Sequence, residues 1–138
     1  MNQTSYRRAT LLLCGCAFVS MLFQTAHAEL TATSQQGFAS WYGETLRGKL
    51  MANGRPFNPD KLTAASWFYP LGTQVRVTVS SPNFESRSVL VTITDRGPAK
   101  RLVQQGRVID LGRAAFKKLA HPDLGLVEVV VEPIQYVR

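Results

Sequence analysis

The chain has 138 residues, with 16 Lys and Arg against 9 Asp and Glu for a formal net charge of +7; 45% of it is apolar and 18% charged. That balance excludes a wholly disordered chain, a collagen-like fibre and a disulfide-dense toxin, and the length suits one domain.

The first 28 residues stand apart from the rest. Arg7 and Arg8 are followed by an apolar run from Ala9 to Phe23 and by Ala26-His27-Ala28, the layout of a secretory signal peptide over residues 1–28. The run is short for a bilayer span, which needs about 20 residues, so the expectation is export with no permanent membrane span, to the periplasm or cell envelope. Release from the cell is one alternative. Another is lipid anchoring, since Leu13-Cys14-Gly15-Cys16 faintly resembles a lipobox with Cys16 as acceptor. Cleavage after Ala28 leaves 110 residues (138 less 28) with 14 basic and 9 acidic side chains, a net +5. Both cysteines leave with the leader. An exported domain without thiols has no disulfide, no Cys nucleophile and no Cys-ligated zinc. Its one remaining histidine, His121, reads as a turn residue in Ala120-His121-Pro122-Asp123. No metal or cofactor is expected.

Residues 29–36 are small and polar and read as a flexible leader. Gly37 to Gly43 forms a short aromatic strand. Glu44 to Lys61 is loop-like, with Gly48, Asn53-Gly54, Pro56 and Asn58-Pro59. Val75, Val77 and Val79 alternate with polar residues in a strand over 73–79, and Val89, Val91 and Ile93 repeat the pattern after a hairpin connection at 80–86. A basic, polar loop follows Asp95-Arg96-Gly97-Pro98 and ends near Gln105-Gly106. Val108 to Leu111 is a brief strand, Gly112 to Ala120 a helix with Ala115, Phe116 and Leu119 inward, and Val127 to Glu132 a closing strand. Many short strands and one short helix point to a single all-β domain over 37–134, closed into a small barrel so that no edge is left exposed. Residues 135–138 form a tail.

Asp95 is the candidate for chemistry. It shares strand parity with Val89, Val91 and Ile93, which places a carboxyl at the end of an apolar row, shielded enough to hold a proton as a general acid must. A turn-opening role before Gly-Pro competes with that reading. Asp110, just before the helix, is expected to be structural, capping the first free amides. The aromatic groups Trp41-Tyr42 and Trp67-Phe68-Tyr69 suit packing or stacking on sugar rings. Arg47, Lys49, Arg55, Lys100, Arg101 and Arg107 fall in two loop regions that together make a cationic groove for an anionic polymer; export argues against nucleic acid.

In order along the chain, Gly37-Phe38-Ala39-Ser40-Trp41-Tyr42-Gly43, Ala52-Asn53-Gly54, Leu62-Thr63-Ala64-Ala65, Pro70-Leu71-Gly72-Thr73, Thr94-Asp95-Arg96-Gly97-Pro98 and Val108-Ile109-Asp110-Leu111 resemble the rare lipoprotein A (RlpA) family. The resemblance covers nearly all of 37–133. It implies a six-stranded double-psi β-barrel acting on peptidoglycan as a lytic transglycosylase on peptide-stripped glycan strands, with Asp95 as acid and base; a monomer is expected. Trp41, Tyr42, Asn53, Arg55, Ser66 and Arg96 are then the expected substrate-binding residues. Two positions depart from the family pattern: Arg55 stands where an acid is usual and Ser66 where His is usual. Arg reverses the local charge and exchanges no proton at physiological pH, so a barrel that binds or loosens peptidoglycan without cutting it, as expansins do to plant walls, is the alternative.

Overall fold

The computed structural model describes residues 33–82 and 85–134; the expected signal peptide and the C-terminal tail lie outside the described residues. Six strands, β1 (Gln35–Tyr42), β2 (Thr63–Ala65), β3 (Gln74–Val79), β4 (Ser88–Asp95), β5 (Arg107–Gly112) and β6 (Val127–Pro133), close into one barrel in the order β1-β5-β2-β4-β3-β6. Two pairs are parallel, β1 with β5 and β2 with β4; the other four are antiparallel. Two helices, α1 (Lys100–Val103) and α2 (Arg113–Leu119), follow β4 and β5.

The alternation read from the sequence forms the core. Val75 and Val77, Val91 and Ile93, and Val129 and Val131 are almost fully buried, and Phe116 and Leu119 of α2 pack into the same cluster. Each such side chain contributes about 1.5–3 kcal/mol by leaving water. Three elements differ from the expectation. β1 begins at Gln35, paired with Val131, so the end of the expected leader is strand. β2 lies where no periodicity was visible, because three residues are too few to alternate. α1 occupies part of the expected basic loop.

Two register slips decide what faces outward. Between β2 and β4, Ala64 pairs with Ile93 but Ala65 pairs with Asp95, so Thr94 is an extra residue on β4. Between β1 and β5, Phe38 pairs with Arg107 but Ala39 pairs with Ile109, so Val108 is extra on β5. An extra residue reverses the inward–outward alternation beyond it. Asp95 therefore leaves the apolar row that simple parity assigned to it and joins the outer face.

Candidate active site

Beyond the slips, one rung crosses four strands: Ser40 pairs with Asp110, Asp110 with Ala65, and Ala65 with Asp95. Two carboxylates thus share a face, separated by one strand that carries only a methyl group. At a strand spacing of about 4.8 Å, their backbones stand about 10 Å apart. Gly97 lies over this gap. A methyl group added there would come within 3.2 Å of the Ala65 methyl and 3.5 Å of Asp110 Oδ2, so the chain after Asp95 passes close over the gap and any larger residue would crowd Ala65.

Asp95 is half-buried and held by the backbone. Its Oδ1 accepts from the amides of Ala52 and Arg96, both at 2.8 Å; among the described residues none donates to Oδ2. The Ala52 amide belongs to a tongue folded from the first loop, closed by a bridge between Leu50 and Pro56 and docked on β4 through Asn53 N to the Thr94 carbonyl. At its tip the Asn53 side chain accepts from the Arg55 amide, while Asn53 and Arg55 are both exposed. The tongue therefore sets one wall beside Asp95.

Asp110 is in a different setting. Its Oδ1 accepts from the Ser40 hydroxyl, and Arg107 Nη1 lies 3.8 Å away. Burial raises its pKa above the usual carboxylate range, against the lowering by Ser40 and Arg107. The capping role expected from sequence is absent: Gly112 occupies the N-cap of α2 and no side chain caps it. The register turns Asp110 across the sheet instead of along the chain.

Tyr42 stands on the same face as Ser40. Its ring packs against Phe57 at 4.5 Å between centroids, and its hydroxyl is buried with no hydrogen-bond partner in the described residues. Burial, then the negative charges of Asp95 and Asp110, raise its pKa well above the ordinary phenol value. It can act as a donor but not as a base near neutral pH.

The other expected binding residues separate into two groups. Tyr42 senses both carboxylates, and Asn53 and Arg55 sit at the tip of the tongue docked beside Asp95. Trp41 packs on Phe116 instead, and its Nε1 donates to the Pro122 carbonyl. Ser66 is fully buried, its hydroxyl donating to the Val108 carbonyl and accepting from the Phe68 amide. Arg96 turns back to donate from Nη1 to the carbonyls of Ser66 and Tyr69. Ser66 and Arg96 thus brace the segment after β2 from beneath. In the expected cationic groove, Arg47 is engaged by Glu44, Asn58 and Asp60, and Arg113 of α2 joins the same network. Arg47 holds the Glu44 and Asp60 carboxyls below their usual range and fastens the base of the tongue. The aromatic beside the site that the sequence reading grouped but did not select is Trp67, whose Nε1 donates to the Pro98 carbonyl at 2.7 Å.

A family profile described as lytic transglycolase matches residues 34–131, the whole barrel apart from its outermost residues. The chain belongs to this family. Among curated relatives, the endolytic peptidoglycan transglycosylase RlpA of Pseudomonas aeruginosa is 42% identical over 103 residues, covering 74% of this chain and 28% of that protein. The probable endolytic peptidoglycan transglycosylase RlpA of a Synechocystis species is 41% identical over 100 residues, covering 72% and 29%. The chain spans less than a third of the length of either. Among solved structures, the Streptomyces papain inhibitor matches with a TM-score of 0.58 at 23% identity over 77% of this chain and 98% of that one. An expansin of Clavibacter michiganensis matches with 0.56 at 21% over 77% and 52%. These two likenesses are of fold, and the barrel of this lytic transglycolase family member is a double-psi β-barrel. Among the described residues no helix is long and apolar enough to cross a membrane, and no three His, Cys, Asp or Glu side chains cluster as metal ligands.

Proposed function

We propose that this barrel is an exported, envelope-located, monomeric endolytic transglycosylase that cuts peptide-stripped glycan strands of peptidoglycan at Asp95. The carrying observation is the Asp95 carboxyl itself: half-buried on the outer face of the barrel, one oxygen fixed by two backbone amides and the other without a donor among the described residues. Family membership and the named activities of the relatives support the substrate class.

In this reading a protonated Asp95 gives its proton to the glycosidic oxygen as the C1–O bond breaks. The C6 hydroxyl of the same muramic residue then attacks C1 and returns its proton to the Asp95 carboxylate. One C–O bond breaks and one forms, the product carries a 1,6-anhydro end, and no water is consumed. A single carboxyl serves first as acid and then as base, so the reaction needs no second proton carrier. Asp110, across Ala65 from Asp95, orients the strand through Oδ2, with Oδ1 already engaged by Ser40. Asn53 and Arg55 line the tongue side.

A binding or wall-loosening reading has one specific observation in its favour, the exposed Arg55 on the tongue beside Asp95, where the family pattern has an acid. Incubation with amidase-treated glycan strands and mass spectrometry of the products decides between the two. The cleavage reading requires anhydro-muramic ends from the wild type and their loss in Asp95→Asn. Sedimentation with sacculi in the absence of such ends establishes the binding reading instead.

A further inference from the structure

Trp67 and Phe68 follow the buried end of β2, yet they remain 48% and 37% exposed. The segment that carries them is fixed on every other side. Ser66 is sealed beneath it, Arg96 grips the Ser66 and Tyr69 carbonyls at 2.8 Å each, and the Tyr69 hydroxyl reaches the Val131 carbonyl at 2.9 Å. Trp67 is fixed as well, by its Nε1 bond to Pro98. Folding ordinarily removes large rings from water; here a rigid support holds two of them in it.

We propose that Trp67 and Phe68 form a sugar-stacking platform that seats one pyranose ring of the glycan strand next to the bond presented to Asp95. The proposal rests on the reading above for its substrate class, and on continuity with the site for its place. The Ser66 amide donates to the Asp95 carbonyl, Ala65 pairs with Asp95, and the indole is tethered to the turn that Asp95 opens. Arg96 joins the two parts: its amide steadies the carboxylate and its guanidinium steadies the platform. The C–H groups on one face of a pyranose carry partial positive charge and match the negative face of an aromatic ring. The contact therefore selects a flat saccharide face and tolerates substituents on the ring edge.

The chain has two tryptophans, so Trp41→Phe leaves Trp67 as the sole reporter. In the uncleaving Asp95→Asn background, amidase-treated glycan strands change Trp67 emission saturably. Phe68→Ala, which breaks no side-chain hydrogen bond, and Trp67→Leu, whose binding is read by co-sedimentation with sacculi because no indole then remains, each weaken binding roughly tenfold, the scale of one lost stacking contact. Trp67→Tyr keeps most of the affinity. With Asp95 intact, the same losses appear as a roughly tenfold rise in KM at a kcat within about threefold of wild type, since the contact is made equally before and during the reaction. Unchanged emission at saturating strand, or Phe68→Ala and Trp67→Leu variants that bind and cut like wild type, overturns the platform. Emission that responds in a protein that yields no anhydro ends overturns the cleavage reading and leaves the platform standing.

Discussion

Asp95, at the end of β4, and Asp110, within β5, occupy one rung, yet the fold treats them differently. Asp95 is bonded by two backbone amides, one from a neighbouring loop, and among the described residues nothing donates to its other oxygen. Asp110 is bonded by a side-chain hydroxyl, approached by Arg107, and sufficiently desolvated that burial outweighs both. Backbone amides are permanent donors, so a carboxylate held by them has a fixed position whatever its proton does; a hydroxyl partner can rotate. Two acids of the same type on one rung thus meet different surroundings, one anchored by permanent backbone donors and one desolvated beside a rotatable hydroxyl; in the function proposed above the first carries the proton and the second orients the strand.

The widest separation between the two is expected in catalysis. Asp95→Asn lowers formation of anhydro ends by roughly 10²–10⁴-fold, the range of a lost general acid–base. Because the amide oxygen still accepts from Ala52 and Arg96, its unfolding free energy stays within about 1 kcal/mol of wild type. Asp110→Asn costs roughly tenfold in the same assay, on the scale of one hydrogen bond to substrate. Equal losses would erase the distinction.

The pH dependence of stability sharpens it further. A carboxyl whose folded pKa is raised costs stability as pH climbs past its unfolded value near ~4, and the loss is complete above the folded value. Asp110→Asn removes that decline, so the variant gains on wild type across this window in urea melts taken at successive pH values. Glu44 and Asp60, lowered by Arg47, act in the opposite sense: their contribution is present above ~4 and is lost as pH falls. Ser40→Ala removes a bond that lowers the Asp110 pKa, and an NMR titration is expected to show that carboxyl shifting further upward.

The smallest effect concerns Tyr42. Its hydroxyl is buried without a partner among the described residues, and removing such a group relieves a desolvation penalty, so Tyr42→Phe is expected to stabilise the protein by about 1 kcal/mol in a urea melt. A loss of stability instead would show that the hydroxyl is bonded in solution.

The barrel was largely legible because long-range closure follows from local alternation. Val75-Val77-Val79 and Val89-Val91-Ile93 announce their faces. β2 was not legible, since Thr63–Ala65 is too short for a period, and its place between β4 and β5 depends on two parallel crossovers. Asp95 was found by its motif, but its orientation was misread by simple parity because an extra residue in a strand leaves no mark on composition. The same blindness made Asp110 a helix cap. Ser66 and Arg96, read as groove residues, brace the segment after β2 from beneath; whether a side chain so placed faces a ligand or a carbonyl is settled by packing across the barrel, which spacing does not encode. Trp67 was visible as an aromatic, and only its exposure distinguishes it from Trp41 and Tyr69.

The slip at Thr94 also constrains how such a protein can change over generations. Deleting that one residue would swing Asp95 back among the valines, so the loss of the proposed chemistry and the burial of a charge in the barrel would arrive together. A lineage abandoning the reaction is therefore freer to exchange the side chain at position 95 than to shorten the strand. The irregular pleat should outlast the acid in silent descendants of this fold.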